Sequence, residues 1–160
     1  MQIRLASSED RSALWRILEP VIRAGETYAL PIDMSEADAL AYWSGADRET
    51  FVAEEGGVVL GTYFLRPNQL GGGSHVANCG YMTATEATGR GVARRMCEHS
   101  IQYARERGFR AIQFNFVVST NERAVRLWQS MGFEIVGRLP GAFHHPRDGY
   151  TNVLVMYRDL

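Results

Sequence analysis

The stretch "TGRGVARRM", Thr88 to Met96, sets two glycines around an arginine and then runs straight into an amphipathic helix. Glycine weakens a helix interior by roughly 0.5–1 kcal/mol relative to alanine. A pair of them at a helix entrance signals that something approaches the backbone there. A helix N-terminus carries unpaired N–H donors and about half a positive charge, so it receives anions. Gly89 and Gly91 remove the Cβ atoms that would bar a phosphate from those donors, and Ala93 keeps the next turn open. Arg90, Arg94 and Arg95 add positive charge at the same end or its flank. A pyrophosphate explains this combination best, although turn geometry alone also accounts for the glycines. The commoner phosphate loops do not fit: G-x-x-x-x-G-K-[ST] is absent, and Arg94 fills the last glycine position of G-x-G-x-x-G.

Working outward, the spacing predicts a helix from about Arg90 to Arg107, stopped by Gly108. "HVANCGYMT" before it and "RAIQFNFVV" after it read as strands, the second buried on both faces. "NERAVRLWQSM" is a helix ended by Gly132, and "FEIVGRL" a strand. The loop "PGAFHHPRDG" leads to a last strand, "YTNVLVMYR". Towards the N-terminus, "QIRLA" is a first strand, followed by a helix with Leu14, Ile17, Leu18, Val21 and Ile22 at helical spacing. Ser7 or Ser8 caps its start and Gly25 its end, and Pro20 predicts a kink or break inside it. "SEADALAYW" is a short second helix with Ser35 and Asp38 as a capping box. "TFVAEE" and "VVLGTYFLR" form a hairpin about Gly56-Gly57, and "QLGGGS" is a connector. Hairpins first and strand–helix alternation afterwards imply an α/β fold with a mixed central sheet of about seven strands.

The 160 residues fit a single domain over 1–160. Seventeen Lys and Arg against 18 Asp and Glu leave a formal charge of -1, with no general attraction to nucleic acid or membrane lipid. There is no apolar run of membrane-spanning length and no h-region after Met1, so a cytoplasmic protein is expected. Cys79 and Cys97 lack metal-type or C-x-x-C spacing and read as small buried side chains; no metal site is expected.

In this setting the chain resembles the GCN5-related N-acetyltransferases, whose phosphate motif reads Gln/Arg-x-x-Gly-x-Gly/Ala. The register falls on Thr88, Gly89, Arg90, Gly91, Val92 and Ala93, with Thr88 departing from the usual Gln or Arg. A second family motif, an Asn, a helix with an aromatic near its end, then Gly-Phe, is matched from Asn121 through Ala124 and Trp128 to Gly132-Phe133. The resemblance spans roughly Val58 to Arg158 and implies helices on both faces of the sheet, with strands 4 and 5 splayed. It implies acetyl-CoA as co-substrate in the opening, with Met82 and Thr83 offering backbone groups to pantetheine and to the acetyl carbonyl. Gly89 to Arg94 would hold the pyrophosphate, and Asn121, Ala124 and Trp128 would flank the other side. The implied reaction is direct attack of a neutral amine on the thioester. Many family members carry a Tyr acid at the position of Trp128, and indole N–H cannot titrate in that role.

Two longer stretches, "YFLRPNQLGGGSHVANCGYM" and "FNFVVSTNERAVRLWQSMGF", resemble the fungal acetyltransferases of toxic proline analogues such as azetidine-2-carboxylate, and their bacterial relatives. Strand parity adds a local argument. Asn78 shares a face with Gly80 and Met82, while Gln113 and Asn115 interrupt an apolar strand opposite Ile112, Phe114 and Phe116. Buried amides need partners, and a small zwitterion with an amine and a carboxylate supplies them; bonds to loop backbone are the alternative. Asn115 and Asn121 are thus the catalytic candidates and Asn78 and Asn115 the acceptor-binding ones. Glu26 and Tyr28, in the segment joining the first two helices, are further acceptor contacts or else a loop anchor and cap. His75 reads as a structural hydrogen-bonding residue, and His144-His145 as solvent-exposed or on the acceptor rim. The expected activity is acetylation of a small amino or imino acid. The alternatives are a peptide or protein acceptor, or a non-catalytic acyl-CoA-binding module. The resemblance also allows a homodimer through a late strand.

Overall fold

The computed structural model describes residues 1–160. Its strands are β1 (Gln2–Leu5), β2 (Glu49–Glu55), β3 (Val58–Pro67), β4 (Val76–Thr83), β5 (Ala111–Val118), β6 (Glu134–His145) and β7 (Gly149–Asp159). The helices are α1 (Arg11–Ala24), α2 (Glu36–Trp43), α3 (Val92–Glu106) and α4 (Glu122–Ser130). One seven-stranded sheet runs β1-β2-β3-β4-β5-β7-β6, and every neighbouring pair is antiparallel except β4–β5. The expected α/β fold with a mixed sheet is present.

Strand alternation divides the core between the two faces of this sheet. On one face Thr62 and Phe64 of β3 meet α1 and α2: Trp43 Nε1 donates to Thr62 Oγ1 at 2.9 Å, and its ring stands edge-on to Phe64. On the other, a Cβ at Gly61 would lie 2.7 Å from Val92 and 2.9 Å from Met96, so the missing side chain seats α3 directly on β3. Trp128 of α4 packs there too, against Tyr81 and Phe114. Cys79 and Cys97 are buried free thiols.

Three local readings change. Pro20 does not break α1, which runs unbroken from Arg11 to Ala24 and ends on left-handed Gly25. Pro20 lies on the solvent face, where water satisfies the carbonyl its missing N–H releases, while Leu14, Ile17, Leu18 and Ile22 stay buried. α3 starts at Val92 rather than Arg90, because Gly91 (φ 78°) is its left-handed cap. The segment "PGAFHH" is strand: β6 is an edge strand, so Pro140 costs no ladder bond, and a register shift between Leu139 and Phe143 absorbs Gly141. Only Pro146 to Asp148 turn. His145 is thereby buried, its Nδ1 accepting from the N–H of Arg147 and Asp148, both at 3.2 Å.

Candidate active site

β4 and β5 are paired only at Val76–Ala111 and Ala77–Ile112. Beyond those residues the strands part, and the opening holds a cavity of about 730 Å³. Two observations fix which backbone groups of β4 face it. Ala84 N–H donates to Leu60 C=O on the β3 side. Tyr81 N–H and C=O both turn the other way, to the hydroxyl of Tyr28. By alternation Cys79, Tyr81 and Thr83 present backbone to the opening, and Met82 presents its own to Thr62. Of the two residues expected to offer backbone groups to the co-substrate, Thr83 turns its backbone to the opening and Met82 turns its own to β3, and both line the cavity.

The glycine turn closes one end. Gly89 (φ 87°) and Gly91 (φ 78°) adopt a backbone that L side chains rarely adopt, and a Cβ built at Gly91 would meet nothing within 4 Å beyond the adjoining chain. No side chain caps α3, and its first bond runs from Arg95 N–H to Gly91 C=O. The N–H groups of Val92, Ala93 and Arg94 therefore open on the cavity that these residues line. The cations arrange themselves unexpectedly. Arg90 turns away to Glu55, and Arg94 is held by Ser130 Oγ at 2.9 Å and Met131 Sδ at 3.2 Å. Arg123, on the first turn of α4, brings Nη2 to 3.6 Å from the Cβ position of Gly89. Thr88 is exposed beside it.

At the centre, Tyr28 Oη accepts from Tyr81 N–H at 2.8 Å and donates to Tyr81 C=O at 2.9 Å. Gly80 makes room for this reach, since a Cβ there would stand 3.2 Å from the hydroxyl and 2.7 Å from Phe64. Burial pushes the Tyr28 phenol well above its ordinary range, so it remains a protonated donor. The same cause raises the Cys79 thiol and lifts that of Cys97 to about 12, leaving neither as a thiolate nucleophile.

At the far end the amides converge. Asn78 Nδ2 donates to Gln113 C=O at 3.0 Å, bridging the two strands just above their last paired residues. Gln113 Nε2 donates to Asn115 Oδ1 at 2.9 Å, and Asn115 Nδ2 to Asn68 Oδ1 at 2.7 Å. Asn78 and Asn115 both line the cavity. Asn121 caps α4 by accepting from Ala124 N–H at 3.4 Å and lines the opposite wall with Ala124 and Trp128.

A sequence model of the acetyltransferase (GNAT) family matches residues 13–133, well over half of the chain. The chain belongs to this family. A GCN5-related N-acetyltransferase from Kribbella flavida is 45% identical and superposes with a TM-score of 0.94, over 99% of this chain and 97% of that one. The N-acetyltransferase aca1 of Schizosaccharomyces pombe is 24% identical over 166 residues, 90% of this chain and 77% of that protein. The protein yncA of Salmonella typhimurium, solved with its cofactor acetyl-CoA, shares the fold at a TM-score of 0.87 and 21% identity, over 100% of this chain and 94% of its own. This GNAT protein is an N-acetyltransferase with acetyl-CoA as co-substrate.

The cavity of this GNAT enzyme fits that co-substrate: uncapped N–H donors stand at one end, and β4 backbone without a strand partner, suited to an amide-bearing chain, faces it at Cys79 and Thr83 on either side of the Tyr28 contact. Within it fall Tyr28, Asn78, Met82, Thr83, Thr88, Gly89, Gly91, Val92, Ala93, Arg94, Asn115, Asn121, Ala124 and Trp128. Two sequence-derived residues fall outside it. Arg90 is paired with Glu55, and the Glu26 carboxylate is held by Arg147 of the β6–β7 turn at 3.0 Å, making it a loop anchor. His75 is exposed and makes no side-chain hydrogen bond, and His144 stacks on Tyr150. Sequence reasoning missed Arg123 and Arg66. The first follows Asn121 by two residues, which was its only signal; the second read simply as the end of a strand.

Proposed function

We propose that this enzyme acetylates the amine of a small amino or imino acid. The observation that carries the reading is the run of amides, Asn78, Gln113, Asn115 and Asn68, gathered where the sheet divides. Asn78 uses its N–H₂ on the Gln113 backbone, which leaves its carbonyl oxygen free to accept from an incoming amine. The co-substrate supplies an activated acetyl thioester. The diphosphate is held by the N–H groups of Val92, Ala93 and Arg94, with Arg123 as the facing cation.

Two donors polarise the thioester carbonyl in this reading. One is Thr83 N–H. The other is the Tyr28 hydroxyl, whose single proton exchanges Tyr81 C=O for the carbonyl oxygen while Tyr81 N–H keeps the phenol in place. Trp128 packs between Tyr81 and Phe114 and supplies shape rather than a proton. Thiol release measured across imino acids, α-amino acids and short peptides tests the proposal. Turnover of the free acids is expected; turnover of peptides alone, or tight acetyl-CoA binding with no turnover, overturns it. A homodimer over β6, where Ile135, Val136 and Leu139 are exposed, completes this reading.

A further inference from the structure

We infer that Arg66 is the receptor for a carboxylate on the acceptor, which makes the substrate an anion-bearing amine and not a simple one. The inference rests on the acetyl-transfer reading of the cleft and adds the determinant of its specificity.

Arg66, the penultimate residue of β3, stands directly opposite Asn78 of β4, and its side chain lies on the same face as Phe64, Gly80 and the Tyr28 hydroxyl. It lines the cavity at the amide end, away from the diphosphate turn. Its guanidinium is poorly satisfied. Nε is buried without any partner, and the one hydrogen bond it makes is from Nη1 to Asp47 Oδ2, at 3.3 Å. That carboxylate is already gripped by Arg48, whose Nε and Nη2 donate to its two oxygens at 2.8 and 3.1 Å. Arg48 is fixed in turn over the rings of Tyr42 and Phe64, at 5.0 and 4.8 Å, and its buried Nη1 also lacks an acceptor. Two guanidinium groups thus share one carboxylate, and the surplus positive charge falls on the one that reaches the cavity.

The rest of the lining gives the same sign. Arg66, Arg94 and Arg123 are its charged residues, and no Asp or Glu borders it. A polyamine or a lysine-rich peptide would find no counter-charge, whereas a carboxylate would find a guanidinium only weakly engaged by its shared partner. Nη2 makes no hydrogen bond and is not shielded like Nε, so it is the donor that a ligand oxygen can reach, in a charge-assisted bond. Arg66 for the carboxylate and Asn78 for the amine would orient a zwitterion with its nitrogen towards the parted strands.

The test compares imino and α-amino acids with their carboxamides on the wild type, Arg66→Met and Arg66→Lys. Calorimetric acetyl-CoA affinity and thermal unfolding serve as controls. The wild type should favour the acids. Arg66→Met should raise KM for acids about 10- to 100-fold, the scale of a lost charged hydrogen bond. It should leave KM for the amides and acetyl-CoA binding unchanged, and Arg66→Lys should recover part of the loss. Should Arg66→Met not fold, a reduced acid preference in Arg66→Lys supports the inference and an unreduced one overturns it. Equal turnover of acids and amides by the wild type, or a variant that keeps the acid preference, overturns this inference alone. No turnover of either series with acetyl-CoA bound overturns the acceptor reading and this inference together.

Discussion

Tyr28 is the side chain on which the centre of the cleft turns. Its hydroxyl satisfies both polar groups of Tyr81 at the unpaired edge of β4. Tyr28→Phe leaves that N–H and C=O without partners, at about 1–3 kcal/mol for a buried unsatisfied group. The expected outcome is a lower Tm together with a fall in kcat of about 100- to 1,000-fold, the scale of a lost oxyanion donor. KM for acetyl-CoA should hold, which separates a polarising role from a cofactor-binding one. Arg123 makes the complementary case. Because Arg90 is engaged by Glu55, Arg123→Ala should weaken calorimetric acetyl-CoA affinity by about tenfold, and Arg90→Ala by much less. The opposite order would return the diphosphate contact to the turn itself.

Among the elements, legibility followed range. The glycine turn, the cap at Gly25, the Gly56-Gly57 hairpin and the amphipathic helices are local patterns, and the structure repeats them. Pro20 and the segment from Pro140 were misread because their tolerance depends on where they face: solvent for the one, a sheet edge for the other. Strand parity singled out Asn78 and Asn115, which both line the cavity, but nothing local tells that Tyr28 reaches Tyr81, 53 residues away. The link between β1 and α1 was equally invisible. Arg4 donates to both oxygens of buried Asp10 at 2.9 Å and to Glu54 at 2.7 Å. These bonds from Arg4 hold the Asp10 carboxyl down at about 2, against an ordinary 3.8. A depressed folded-state value stabilises above the unfolded one and is lost on protonation. That contribution, on the order of 2 kcal/mol, should therefore be complete above about pH 4 and vanish as the pH falls towards 2. Asp10→Asn should flatten this part of the acid-unfolding curve, read by circular dichroism at fixed ionic strength.

For the whole molecule, the parting of β4 from β5 after two paired residues leaves β1–β4 and β5–β7–β6 joined along a short seam. The seam is reinforced by side-chain amides, Asn78 bonding to the Gln113 backbone and Asn115 to Asn68 beyond β3. Amide hydrogen exchange should reflect this: the N–H groups of Cys79 and Thr83 should exchange quickly in the free enzyme and slow on addition of acetyl-CoA, while the β2–β3 ladder stays protected throughout. Unchanged exchange at Thr83 would remove that residue from the binding edge. The co-substrate is in this sense also a splice between two half-sheets. A splice that binds only the folded chain adds about 2.7 kcal/mol at a hundred times its dissociation constant. The enzyme's resistance to heat would then rise and fall with the supply of the acetyl donor it consumes.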